Sequence, residues 1–163
     1  MSLIVRKIER GKWMQNDILS GADVSADAIT NCMKTSNNSL SVWEVAEEEQ
    51  VNEVVLALTS QSQHIEAIDV VALDRTALIN SGLQLQTTDS PTPIKELSQL
   101  HRDIVQLTYK SLGVLAGMTV EAIRNKANHR YTKGMIKNLL DNAIVAGRLD
   151  KEALKEHVRS HLR

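Results

Sequence analysis

Ile65-Glu66-Ala67-Ile68-Asp69-Val70-Val71-Ala72-Leu73 becomes apolar on both pleat faces toward its end, the pattern of a strand covered on two sides. Upstream lies Glu47-Glu48-Glu49-Gln50-Val51-Asn52-Glu53-Val54-Val55-Leu56-Ala57-Leu58, where Val51, Val54, Val55 and Leu58 recur at i, i+3, i+4 and i+7 and share one helical face. The acidic start of that helix suits the positive end of its macrodipole. Before it, Leu40-Ser41-Val42-Trp43-Glu44-Val45 reads as a strand, set off by the turn cluster Ser36-Asn37-Asn38-Ser39. Strand, amphipathic helix and two-sided strand in succession predict one βαβ crossover, hence a small parallel or mixed sheet of roughly three to four strands.

Working outward, Leu3-Ile4-Val5-Arg6-Lys7-Ile8-Glu9-Arg10 is β-branched and partly alternating, and Gly11 closes it, which predicts an edge or outer strand. Ala26, Ile29, Cys32 and Met33 match one helical face, with Ser25 as N-cap. Leu83-Gln84-Leu85-Gln86-Thr87 alternates as a further strand, after a short turn or helix over Arg75–Ser81. Thr88-Asp89-Ser90-Pro91-Thr92-Pro93 holds both prolines and is the strongest break in the chain.

Beyond the break the pattern reads helical. Thr92 and Pro93 open a helix whose stripe is Ile94, Leu97, Leu100, Ile104, Val105 and Leu107, reaching Leu115 and stopped by Gly117. Thr119 opens a second helix through Asn128. Thr132 opens a third, with Ile136, Leu139, Leu140 and Ile144, ending at Gly147. Asp150 caps a fourth, with Leu154, Val158 and Leu162. The expectation is an α+β protein: an α/β-like N-terminal half over residues 1–88 with the small mixed sheet, and a four-helix C-terminal subdomain over 93–163, packed as a single unit.

The 163 residues suffice to bury a sizeable core, and 42% hydrophobic with 24% charged residues is a globular composition. One cysteine, Cys32, excludes an internal disulfide framework and a Cys-rich zinc site, and suits a reducing compartment. No run approaches a membrane span, and the basic residues Arg6, Lys7, Arg10 and Lys12 are not followed by an apolar leader segment. A cytoplasmic protein with no membrane partner is expected. Trp13, Trp43, Tyr109 and Tyr131 are too few for an aromatic base-stacking platform. The net charge of -1 hides an asymmetry: residues 1–118 hold 9 Lys/Arg against 15 Asp/Glu, and residues 119–163 hold 10 against 5. Such segregation suits an anionic partner at the C-terminal end, or self-association of opposite surfaces.

Candidate chemistry is sparse. There is no G-x-G-x-x-G loop, and Gly11-Lys12 is followed by Trp13, so a P-loop is excluded and no cofactor is expected. Asp74, where a buried strand ends and a helix begins, has the address of a catalytic carboxylate in α/β sheets and equally that of an N-cap. Asp69, amid apolar residues, needs a partner if buried. His157 and His161 share a helical face four residues apart, but no third ligand is visible, and no metal is expected. His64 and His101 stand alone in the sequence.

Arg124-Asn125-Lys126-Ala127-Asn128-His129, read as Arg-Asn-x-x-x-His, resembles the active-site motif of the HEPN family of helical ribonucleases. That resemblance implies metal-independent RNA cleavage, with sites commonly completed across a dimer, Arg124 neutralising the pentacoordinate phosphate and His129 shuttling the 2′-hydroxyl proton. Residues five apart on an ideal helix point about 140° apart, so a break near Asn128 or a second copy would have to bring the pair together.

The same stretch belongs to a wider basic cluster, Arg124, Lys126, His129, Arg130, Lys133 and Lys137, able to lie on a nucleic-acid backbone or to pair with the acidic first half. The functional expectation is a non-catalytic accessory or regulatory protein, acting through protein contacts and self-association as a homodimer, with nucleic-acid contact through Arg124, Lys126, Arg130, Lys133 and Lys137. The alternatives are the ribonuclease using Arg124 and His129, and a structural subunit presenting Leu139, Leu140 and Ile144, or Leu154, Val158 and Leu162, to a partner.

Overall fold

The computed structural model describes residues 2–13 and 23–163. In chain order its elements are β1 (Leu3–Ile8), α1 (Arg10–Trp13), α2 (Ala26–Cys32), β2 (Leu40–Val45), α3 (Val51–Ser60), β3 (Ile68–Asp74), α4 (Arg75–Asn80), β4 (Gln84–Thr87), α5 (Lys95–Ser98), β5 (His101–Val105), α6 (Tyr109–Arg124), β6 (Asn128–Tyr131), α7 (Lys133–Val145) and α8 (Glu156–Arg159). The strands form one six-stranded sheet in the order β4-β5-β2-β1-β3-β6, and every neighbouring pair is antiparallel.

The small mixed sheet expected from the sequence is thus corrected to six antiparallel strands. The reason lies in β1. β2 and β3 run the same way and are joined through α3, as a crossover requires, but β1 sits between them and pairs with both. It is a central strand, not an outer one, with Ile4 and Val5 fully buried. Arg6, a charge in the middle of this central strand, turns its guanidinium onto the carbonyl oxygens of Cys32 and Ser41. Burial lowers its pKa.

The four-helix C-terminal subdomain is corrected as well. Residues 101–105 form β5 between β4 and β2, and 128–131 form β6 on the far edge. Gln106 adopts φ +57°, which separates β5 from α6, and Thr108 opens that helix through a reciprocal capping box with Ser111. α6 then runs through Gly113 and Gly117 without a stop, and Thr119 is buried inside it, its hydroxyl donating to the Leu115 carbonyl. Pro93 does not open a helix; the short α5 starts after Ile94. Ser25, Asp74 and Thr132 cap as local chemistry dictates, but Asp150 caps only the 3-10 turn Lys151–Ala153, and the four-residue α8 begins separately after Lys155.

The central strands β1, β2 and β3 send alternate residues to two cores, and β5 and β6 each add to one of them. On one face Val5, Trp43, Val45, Ile68, Val70, Ala72 and Tyr131 pack under α3, α5, α7 and α8. On the other Ile4, Ile8, Leu40, Val42, Val71, Leu73 and Ile104 pack under α1, α2, α4 and α6. The result is three layers with the sheet in the middle, which is why β3 reads as apolar on both sides. No helix among the described residues is long and apolar enough to cross a membrane.

Candidate nucleic-acid interface

The basic cluster of the sequence is gathered around β6, the edge of the sheet that follows α6 and leads into α7. Residue parity divides it. His129 is opposite Val70 and Tyr131 opposite Ile68, so both side chains point to the α3/α7 face; Tyr131 is buried there and its hydroxyl donates to Asn52 Oδ1 at 2.8 Å. Arg130 is opposite Asp69 and points to the α6 face, where its Nη1 lies 3.2 and 2.9 Å from the two carboxylate oxygens. Asp69 therefore has its partner, a buried acid satisfied by a half-exposed arginine.

Arg124 and His129 are not brought together by this arrangement. Arg124 ends α6, which covers one face of the sheet, whereas the His129 ring lies on the opposite face. The Nε2 atom of His129 is shielded from solvent beside Glu48 Oε1 at 3.5 Å, beyond good hydrogen-bond geometry.

The turn between α6 and β6 is a Schellman motif. Asn125 is the C-cap, the Lys126 N–H donates to the Ile123 carbonyl at 3.1 Å, and the Ala127 N–H donates to the Ala122 carbonyl at 2.8 Å. The motif requires left-handed backbone at Lys126, whose φ is +60°. The end of α7 is built identically around Gly147, with φ +70° and N–H groups of Gly147 and Arg148 donating to Ile144 and Ala143. Glycine occupies that slot at no steric cost. A lysine occupies it here.

Charge completes the picture. Several C-terminal cations are spent on the chain's own acids: Arg148 spans Glu53 at 2.6 Å and Glu96 at 3.0 Å, Arg130 takes Asp69, and Arg159 takes Glu152. Much of the asymmetry in the sequence is thereby neutralised within one molecule. Among the described residues Lys126, Lys133 and Lys137 have no ion-pair partner; Lys126 and Lys133 are exposed, and Lys137 is half-buried, one turn beyond Lys133 on α7.

Other features were invisible in sequence. Gly117, Met118 and Ala122 of α6 and its C-cap Asn125, with Ala72 and Ala77, line an open groove of about 490 Å³ whose walls are mostly apolar. Its rim acids serve the fold, Asp74 capping α4 through the Ala77 N–H at 2.6 Å and Glu121 accepting from Asn125 at 3.1 Å. Glu44 collects Arg75 at 2.7 Å, Arg102 at 2.9 Å and Ser2 at 3.0 Å, from elements far apart in sequence. Comparison with protein-family profiles, characterised proteins and solved structures finds no match.

Proposed function

We propose that the chain is a non-catalytic accessory protein that works by contact, holding a nucleic-acid backbone against the cations around β6. The observation that carries this reading is Lys126. A Schellman turn favours glycine at that position, and a lysine held at φ +60° costs about 1 kcal/mol. Such strain at an exposed charge, at one end of β6 with Lys133 and Lys137 beyond the other end, none of the three neutralised by a carboxylate, is what a run of contacts to a backbone of anions would use. The cations wrap around an edge instead of lining a cleft, which suits a polymer backbone better than a small phosphate ester.

The test is fluorescence anisotropy with a labelled duplex and a labelled single strand, in EDTA, at 50 and 200 mM salt. With three to five phosphate contacts, duplex affinity falls about 40- to 500-fold between those salts. K133E/K137E abolishes binding, and K126G weakens it while leaving the protein more stable. Absence of binding at 50 mM salt, or binding indifferent to salt, overturns the proposal. Cleavage of RNA that disappears in H129A would replace it with the ribonuclease.

A further inference from the structure

The sheet ends in two edges of opposite character. Along β6 the cation Arg130 stands on the strand itself, and Lys126 and Lys133 flank it, charges of the kind that keep an open edge from pairing with another strand. At the other edge β4, Gln84-Leu85-Gln86-Thr87, carries none. It lies within residues 76–88, the longest stretch of the chain without Asp, Glu, Lys or Arg, and it holds no proline. Gln84, Gln86 and Thr87 are exposed, and among the described residues no strand lies beyond them.

The ladder shows which backbone groups this leaves open. Gln84 is opposite Val105 and Gln86 opposite Asp103, and the same register continues to Thr88, whose N–H donates to the His101 carbonyl. In an antiparallel pair alternate residues bond to the neighbouring strand. Gln84, Gln86 and Thr88 therefore face β5, while the N–H and C=O groups of Leu85 and Thr87 point away from it. The far side of β5 agrees: the Glu44 N–H donates to the Leu100 carbonyl, which assigns Arg102 and Ile104 to β2 and leaves His101, Asp103 and Val105 for β4. Two donors and two acceptors, evenly placed about Gln86, thus face outward.

We propose that β4 pairs antiparallel with the β4 of a second copy of this chain, about a two-fold axis at Gln86, joining two six-stranded sheets into one. In that register Leu85 lies opposite the second copy's Thr87, and Thr87 opposite its Leu85. Each pair exchanges two backbone hydrogen bonds, so every outward group of Leu85 and Thr87 is satisfied. A two-fold axis requires the same surface on both sides, and β4 meets that requirement: Gln86 faces Gln86, whose amide is both donor and acceptor, and no charge faces its own like. A foreign strand would have to be selected by charges along the edge, and β4 has none to offer. The two β6 edges lie at the far ends of the joined sheet, so the pairing does not depend on what their cations hold.

The experiment is sedimentation equilibrium of the full chain up to about 500 μM. A short edge makes a transient dimer, and a dissociation constant of about 10–100 μM is expected. T87P removes an outward N–H that β5 does not use, and should weaken association about tenfold or more. Cross-linking reads the register. The two copies of residue 86 form a pair without mutual backbone bonds, with Cα atoms about 4.5 Å apart, which a disulfide can bridge. Diamide should therefore convert Q86C to a covalent dimer and leave Q84C, whose opposite number is position 88 of the other copy, monomeric. The wild type, with Cys32 buried, is the control. Near-UV circular dichroism from the buried Trp13 and Trp43 identifies folded variants; should T87P fail to fold, the two cysteine variants decide. A monomer at about 500 μM overturns the proposal. So does a dimer indifferent to T87P in its folded form, or cross-linking of Q84C as ready as that of Q86C.

Discussion

Arg130 on the edge strand and Asp69 on its neighbour are register partners, and one guanidinium nitrogen reaches both carboxylate oxygens at 3.2 and 2.9 Å. The acid is nearly buried and the arginine half-exposed. Removing the arginine leaves the carboxylate without its cation, so R130A is expected to cost about 1–3 kcal/mol in urea denaturation. D69N/R130A should recover part of the loss, because an amide tolerates the burial better than an unpaired charge. An equal loss in R130A and D69N/R130A would show that the carboxylate left behind carries no penalty of its own once its cation is gone.

Lys126 and Gly147 occupy the same slot in two copies of one capping motif, with φ +60° and +70°. Opposite outcomes are expected from exchanging their side chains. K126G should raise stability by about 0.5–1 kcal/mol, and G147A should lower it by a similar amount, both read from denaturation midpoints.

Gly113 and Gly117 lie within α6, and a Cβ built on either meets nothing within 4 Å. Glycine inside a helix is about 1 kcal/mol worse than alanine. G113A and G117A should each stabilise the protein, by up to about that amount, with additive effects on the chemical-denaturation midpoint. A loss of stability at Gly117 would mean that the adjacent groove closes when the molecule is in solution.

Arg148 bridges Glu53 and Glu96 and so ties α3 and the segment before β5 to the end of α7. Its hydrogen bond lowers the pKa of Glu96 from the ordinary carboxylate value. A depressed carboxylate pKa stabilises the fold above the unfolded-state pKa, and the contribution is lost as pH falls through the folded-state value. Melting temperature should therefore drop on acidification below about pH 4.3, and R148M should remove part of that dependence. The residues are substantially solvent-exposed, so the effect should stay under about 1 kcal/mol.

Much of the local structure was legible because it rests on local chemistry. β2, α3 and β3 have clear periods of 2 or 3.6, and Ser25 and Thr132 are caps that need no tertiary context. β5 was hidden because Ile94, Leu97, Leu100, Ile104 and Leu107 also satisfy a helical stripe, and only pairing with β2 and β4 on either side decides for the strand. β6 is four residues, Asn-His-Arg-Tyr, with no apolar alternation to betray it; the hydrophobic half of that pairing is supplied by β3. The start of α6 was missed because its capping box uses Ser111 where glutamate or glutamine is the usual signal. At the candidate site, the basic residues were found but not their geometry. A glycine at position 126 would have marked the turn, and lysine conceals it. His64 could not be placed beside His157 from sequence, since only the folded chain brings the loop after α3 against α8 and sets the two rings 4.6 Å apart.

The order of strands in the sheet sets a timetable for synthesis. β4 is made before β5, the only strand it pairs with among the described residues, and β5 in turn must enter between β4 and β2. β3 emerges early, yet the face carrying Ile68, Val70 and Ala72 stays uncovered on the α7 side until residues 133–145 have been translated. Until then that face is covered by α3 and α5 but lacks Ile136, Leu140 and Ala143, the α7 side chains that complete its cover. α7 and β6, both from the last third of the chain, are thus the lock on a core whose other parts are laid down before them.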